Sequence, residues 1–300
     1  MNGLFYLICI NDILNIVRCY MVKSYMNLFW RGKVDILCEI QRIYNSFSDK
    51  EKAIADYIMQ YGDNINNINI TDLAREIGTS GATITRFAKK IGCNSFVDMK
   101  IMLSSHKVEK LAEVDEDEIF SYAYRYYDEV IERTKMLIDK EAIFKVVNDL
   151  KKARSIYIYG VGSSGLTGKE MMQRLLRMGF NVHCIPDSHM MIINSSIITK
   201  DDLVIGLSIS GETEEVIHSL RKAKENGAKT VCITSFEGSS ISKYSDLKFI
   251  VYNPKFVDKS KFINSQFSAM YLLDLISMVL LKDEELSKKM QITVEAIVNN

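Results

Sequence analysis

Three hydroxyl residues surround one glycine in Ser208-Ile-Ser-Gly-Glu-Thr213, where an apolar run ends and a helix-forming run begins. Such a turn offers hydroxyl donors, backbone N–H groups and the positive end of a helix dipole to a single anion. An ordinary serine N-cap accounts for one of those hydroxyls but not for three. A second glycine- and serine-rich turn, Gly160-Val-Gly-Ser-Ser-Gly165, fits the G-x-G-x-x-G pattern of dinucleotide-binding turns. A nicotinamide cofactor would also need an acid at the end of the next strand, and Asp187, just past Pro186, is the candidate. If both turns leave the carboxyl ends of parallel strands, they can face one ligand. Ser163, Ser164, Ser208, Ser210 and Thr213, with the main chain at Gly162 and Gly211, would then cradle a phosphate.

The first half carries residues suited to nucleic acid. Leu73, Ala74, Ile77, Ile84, Phe87, Ala88 and Ile91 recur at helical spacing across the turn Gly78-Thr79-Ser80. A glycine permits the sharp reversal between two helices. With that apolar stripe turned inward, Ala82, Thr83, Thr85, Arg86, Lys89 and Lys90 lie on or beside the exposed face. Small residues at the helix start allow close approach to base edges. Ser80 and the free N–H groups can meet a phosphate. Arg86 reaches a base or a phosphate, and Lys89 and Lys90 suit the DNA backbone. Local charge agrees, because Arg86, Lys89, Lys90, Lys100 and Lys107 face one acid, Asp98, between 79 and 107.

Catalytic and metal-ligating patterns are weak. Glu212, Glu214, His183 and His189 are the available proton-transfer groups, and no paired acid and base declares itself. Cys9, Cys19, Cys38, Cys93, Cys184 and Cys232 include no C-x-x-C pair. The histidines lack H-E-x-x-H spacing. The expectation is therefore no catalytic residue, no metal, no cofactor and no disulfide framework, in a reduced cytoplasmic protein.

These residues need elements to position them. Three hundred residues, 47% apolar and 25% charged, suit two domains with sizeable cores. Lys plus Arg equals Asp plus Glu at 38 each, which excludes a uniformly basic coat and an acidic tail but not a local basic face. Residues 34–107 read as helices only. Ser48 and Glu51 form a capping box for one helix, Thr71 caps a short one over Asp72–Ile77, and Ser80 caps another over Gly81–Ile91. A last helix runs from about Ser95 to Ser105. The acids Glu109, Glu113 and Asp115 to Glu118 mark residues 108–118 as a linker. Helices over Ile119–Leu137 and Glu141–Leu150 lead into strands at Ser155–Tyr159, Asn181–Ile185, Leu203–Ser208, Thr230–Thr234 and Leu247–Val251. Between and after them come helices at Gly165–Met178, His189–Ile197, Glu212–Asn226 and Phe262–Leu281. This alternation predicts an α/β domain over 119–286, with a five-stranded parallel sheet flanked by helices. Residues 287–300 read as a tail.

Leu4 to Val17 is apolar but interrupted by Asn11, Asp12 and Asn15, and it is too short and polar to span a membrane. Residues 1–33 read as an N-terminal extension outside both domains. Trp30-Arg31-Gly32-Lys33 can be encoded with a ribosome-binding sequence ahead of Val34, so a start at Val34 is an expectation here.

The second half resembles a SIS (sugar isomerase) phosphosugar-binding domain. The resemblance rests on Ser208–Thr213 as its S-x-S-G-x-T turn, on the strand end Cys232-Ile-Thr-Ser235, and on Ser239-Ser240-Ile-Ser242. The family often has Ser-Pro in that last segment, and this chain does not. The first half resembles the N-terminal domain of RpiR-type regulators, through Ser80-Gly-Ala-Thr-Ile-Thr-Arg-Phe87, Lys90-Ile-Gly92, Phe96 and Lys100. The resemblance implies a flavodoxin-like SIS fold behind an all-α helix-turn-helix domain, and adds Ser235 to the phosphosugar site. It implies a bacterial transcription regulator that binds a double-stranded DNA operator and senses a phosphorylated sugar. A homodimer or homotetramer without a membrane partner would suit it. Two other classes stay open at this point: an aldose–ketose isomerase with an accessory helical domain, and a nicotinamide-dependent oxidoreductase.

Overall fold

In the computed structural model the described residues are 35–61, 65, 68–104, 118–253 and 266–298. The N-terminal extension, most of the acidic segment, Lys107 and the first residues of the expected Phe262–Leu281 helix lie outside them.

The helical part comprises α1 (Ile36–Ile43), a 3-10 turn at Tyr44–Ser46, α2 (Asp49–Tyr61), α3 (Ile70–Ile77), α4 (Gly81–Lys90) and α5 (Phe96–Ser104). Its core is the stripe expected from spacing. Leu73, Ala74, Ile84, Phe87, Ala88 and Ile91 join Ile36, Ile40, Ile54, Ile58 and Met99 in one buried cluster. Each fully buried aliphatic side chain of this kind contributes about 1.5–3 kcal/mol. The caps fix where helices begin. Ser48 and Glu51 pair as a capping box, with Ser48 N–H and Oγ–H both donating to Glu51 Oε2 at 2.8 and 3.0 Å. The short helix starts earlier than Thr71 suggested. Asn69 is its cap, and its side chain accepts from Thr71 N and Asp72 N. Asparagine supplies a side-chain acceptor as threonine does, so the helix opens at Ile70, two residues sooner.

After α6 (Ile119–Leu137) and α7 (Lys140–Lys152), strands and helices alternate: β1 (Ser155–Tyr159), α8 (Ser163–Arg177), β2 (Val182–Ile185), α9 (Ser188–Ile197), β3 (Asp202–Leu207), α10 (Glu214–Glu225), β4 (Lys229–Thr234), β5 (Leu247–Ile250), α11 (Phe267–Leu280) and α12 (Glu284–Val298). The sheet is parallel throughout, in the order β2-β1-β3-β4-β5. That is the flavodoxin-like order, with its switch point between β1 and β3. Burial on both faces explains the near-continuous apolar runs. One face packs Ile156, Ile158, Leu203, Ile205, Val231 and Phe249 against side chains of α7, α8 and α11. The other packs Tyr159, Val204 and Cys232 against α9 and α10 through Met191, Val216, Leu220 and Ala223. Residues from 287 onward, expected as a tail, lie mostly within α12. Leu286 and the partly buried Met290 tie this helix to the core. Among the described residues no helix is long and apolar enough to cross a membrane.

Candidate functional site

β1 and β3 are neighbours, with Tyr159 opposite Gly206 in the parallel register. The turns that follow them therefore leave the sheet side by side, at its carboxyl edge and at the switch point. This is where open α/β sheets bind ligands.

The turn after β3 is built around Ser208, whose side chain is buried beneath it. Ser208 Oγ lies 2.8 Å from Thr213 Oγ1 and 3.4 Å from Ser210 Oγ, and it accepts from Gly211 N–H at 3.1 Å. Thr213 occupies the cap position of α10 but makes no side-chain cap hydrogen bond. The first amides of α10 are thus not claimed by that hydroxyl, which turns toward Ser208 instead. Gly211 has φ +71°, and a Cβ there would sit 2.3 Å from Ser239 Cβ. Both the left-handed backbone and the close approach exclude any other residue. Ser210 and Glu212 are exposed and Thr213 is half-buried, so part of the turn faces outward.

The turn after β1 uses its glycines differently. Gly162 has φ +59°, and a Cβ on Gly165 would lie 2.7 Å from Gly160 O. Ser163 starts α8 and is exposed, while Ser164 is nearly buried. The acid that a nicotinamide site would need is already committed. Asp187 caps α9, accepting from Met190 N–H at 2.8 Å. Two of the four isomerase candidates are also engaged elsewhere. Glu212 Oε1 accepts from Ser240 N–H at 2.9 Å, and the His183 ring stacks on Tyr157 and lies 3.1 Å from Asn181 Oδ1. His189 is exposed at the start of α9, and Glu214 lines a cleft with His218, Arg221 and Lys243. Among the described residues no group of three His, Cys, Asp or Glu side chains could hold a metal ion.

On the helical part, α3, the turn at Gly78 and α4 form a helix-turn-helix. Gly78 is left-handed at φ 72°, and its N–H bonds back to the last turn of α3. Ser80 caps α4, accepting from Thr83 N–H at 3.2 Å and lying 2.9 Å from Thr83 Oγ1. Ala82, Arg86 and Lys89 are exposed along α4, with Thr83 and Thr85 half-buried beside them. Thr85 Oγ–H donates back to Gly81 O at 2.9 Å.

Two protein families match this chain in the same order. The helix-turn-helix domain of the rpiR family matches residues 34–110, and the SIS domain matches residues 149–277. A Haemophilus influenzae protein named an uncharacterized HTH-type transcriptional regulator is 32% identical over 263 residues, covering 84% of this chain and 91% of its own. A Clostridium perfringens protein of the same description is 31% identical, covering 83% of this chain and 94% of its own. The chain belongs to the RpiR-type family of transcriptional regulators. Its fold agrees with the Vibrio vulnificus NanR protein complexed with ManNAc-6P, at a TM-score of 0.58 and 26% identity over 88% of this chain and 98% of that one. The sugar isomerase domain of an RpiR transcription factor from Sphaerobacter thermophilus shares the fold of the sheet part, at a TM-score of 0.55, 15% identity, and coverage of 61% of this chain and 99% of that one.

Within this RpiR-type frame, two expected site residues stand elsewhere. Lys90 does not extend freely from α4. Its Nζ donates to Ser46 O and to Glu51 Oε2, each at 3.0 Å, over the Phe47 ring. The same anchor depresses the Glu51 carboxyl. Burial alone would raise it, but the hydrogen bonds from Ser48 and Lys90 outweigh that. Lys100 is similarly turned inward, donating to Ile68 O at 3.1 Å. Ser235 is fully buried. Its N–H donates to Ile209 O at 3.0 Å, so it holds the turn from below and presents no hydroxyl at the surface. Two residues not singled out from sequence support the other turn. Thr167 Oγ–H lies within reach of Ser163 O (3.2 Å) and Gln266 Oε1 (3.3 Å), which ties the start of α11 beneath the start of α8. A lone glutamine before an apolar helix carries no local signal, because only the fold brings it there.

Proposed function

We propose that this RpiR-type regulator binds a phosphorylated sugar at the paired turns and DNA through α4, and that the first event modulates the second. The carrying observation is the ring of Ser208, Ser210 and Thr213 hydroxyls at the uncapped start of α10, beside Ser163 at the switch point. A phosphate seated there would meet hydroxyls, the first main-chain N–H groups of α10 and a helix dipole, without needing a basic pocket. Gly162, Ser163 and Ser164 would face the sugar end. The solved NanR complex with ManNAc-6P supports a phosphosugar as the ligand class.

For DNA, the available set is Ser80 and the α4 start on a phosphate, Ala82 and Thr83 close to base edges, and Arg86 and Lys89 reaching bases or backbone. Thr85 shapes the face while bonded to its own helix, and Lys90 serves the domain. A homodimer reading two half-sites about one helical turn apart is the natural assembly, in the cytoplasm where both ligands are found. We read the protein as a regulator without catalysis. The acid nearest the turn, Glu212, is spent on Ser240 N–H.

Capture of genomic DNA fragments by the purified full chain, eluted with a panel of sugar phosphates, tests this reading. One fragment set released or retained by one sugar phosphate supports it. Interconversion of an aldose phosphate and a ketose phosphate at an enzyme-like rate would replace it with the isomerase.

A further inference from the structure

A fully buried amide side chain joins the DNA-binding helices to the sheet. Gln41, on α1, donates through Nε2 to Ser235 O at 2.8 Å and to Val251 O at 3.0 Å. Its Oε1 accepts from Asn253 N–H at 2.8 Å. Both amide hydrogens and the oxygen are therefore used. The three main-chain groups lie just past the ends of β4 and β5, where the strand ladder no longer supplies partners. Two further contacts flank Gln41. Arg42, which also holds Glu39, pairs with Glu237 at 3.0 Å, and the Tyr44 ring meets Phe236 with centroids 5.5 Å apart. α1 and the turn after it thus grip residues 235–237.

The same segment is held on its other side by the proposed phosphate turn. Ser235 N–H donates to Ile209 O and Ile241 N–H to Gly211 O, both at 3.0 Å. Ser240 N–H donates to Glu212 Oε1 at 2.9 Å, and Ser239 packs directly on Gly211. Residues 235–241 are accordingly bonded to the turn at both ends and to α1 through Ser235. A movement of Gly211 toward this segment has no free space to enter, because Ser239 packs directly against it. Close-packed contacts of this kind pass on small displacements by switching arrangement rather than by stretching.

We propose that segment 235–241 transmits effector occupancy from the phosphate turn to the DNA-binding helices, with Gln41 as the positioning residue that receives it. This rests on the reading that the turn holds a sugar phosphate. The coupling is reciprocal, so disturbing Gln41 disturbs the turn even without ligand.

Hydrogen exchange on the full-length protein tests it in two arms. In the first, without ligand, Gln41→Glu keeps the acceptor for Asn253 N–H but, buried and protonated, can donate to one carbonyl at most. The amides of Gly211, Ser235 and Ile241 are expected to exchange on the order of tenfold faster, with β1 and β2 unchanged. Faster exchange confined to α1, with the turn at its wild-type rate, overturns the proposal, since Gln41 would then only dock the helix. If Gln41→Glu does not fold, Arg42→Glu and Glu237→Arg are compared singly and together. Each single change should speed the turn by up to about fivefold and the pair should recover part of it, since Glu39 stays beside position 42, whereas a pair no slower than either single change counts against transmission. In the second arm, ManNAc-6P is added to wild type with its affinity followed by calorimetry. Slower exchange in both the turn and residues 36–44 is expected. Binding that protects the turn alone overturns the proposal. Absence of ManNAc-6P binding counts against the ligand reading for that sugar, while the first arm still decides the coupling.

Discussion

Ser208 Oγ faces both Thr213 and Ser210 and caps the Gly211 amide, so one side chain sets the shape of the whole anion turn. Each hydrogen bond to a charged group contributes about 1.5–3 kcal/mol. Ser208→Ala with Ser210→Ala should therefore weaken sugar-phosphate binding by at least about a hundredfold, while DNA affinity in the absence of ligand stays within twofold of wild type. Calorimetry and fluorescence anisotropy on the same preparation check both halves. Arg86→Ala with Lys89→Ala should do the reverse. Ligand affinity is kept, DNA binding is lost, and the slope of log affinity against log salt falls by about 2 if both contact phosphates. Lys90→Ala separates the two kinds of lysine on α4. Because Lys90 is bonded to Ser46 and Glu51, its loss should lower the melting temperature and leave that salt slope unchanged. A lowered slope would place Lys90 on the DNA instead. Adjacent lysines at the end of a helix look alike in a sequence. What separates Lys89 from Lys90 is the position of Glu51, 39 residues away in the chain. Ser235 was likewise readable as part of the motif but not as a buried one, because its depth depends on how α1 covers the strand ends.

At the scale of elements, local chemistry settled most boundaries. β1 and α6 span the residues expected from alternation and helical period, and Ser80 caps α4 as its position before an apolar stripe requires. Departures fall where two local solutions compete, as with Asn69 and Thr71, or where a helix continues past its last buried residue, as α12 does beyond Leu286. The strand starts carry their own electrostatic fixings. Burial alone would raise the Asp202 carboxyl at the head of β3, but hydrogen bonds from Thr199 N–H and Oγ–H and from Arg154 hold it below the ordinary range. Asp246 before β5 is depressed in the same way, with Thr230 and Lys224 outweighing burial. A depressed folded value means that these acids add stability above the unfolded pKa, near about 4, and lose it as pH falls through the folded value. Denaturant unfolding of Asp202→Asn should accordingly show a flatter loss of stability than wild type below about pH 4. Parallel curves would contradict the assignment. Burial pushes the thiols of Cys93 and Cys232 up to about 11, so both stay protonated at pH 8 and should resist iodoacetamide until the protein is unfolded.

At the scale of the whole molecule, neutrality conceals a division of labour. An exposed helix face carries Arg86 and Lys89, while the proposed phosphate turn on the sheet offers hydroxyls and main chain. On that proposal, two ligands of like charge are sorted by geometry, a broad backbone track against a small turn. The order of the two family domains was legible from motifs alone. The contact that joins them was not, since Gln41 reads as one more polar residue on a short amphipathic helix until the strand ends are seen beside it. The central claim, that the paired turns bind a phosphorylated sugar, is tested most directly by thermal unfolding of the full chain. The panel contains sugar phosphates and their unphosphorylated parents, with Ser208→Ala as control. A ligand at a hundred times its Kd stabilises by about 2.7 kcal/mol, so the predicted result is a shift of several degrees for a phosphorylated sugar, none for its parent, and none for the variant. Equal shifts with the parent sugar, or a shift that survives Ser208→Ala, would contradict it.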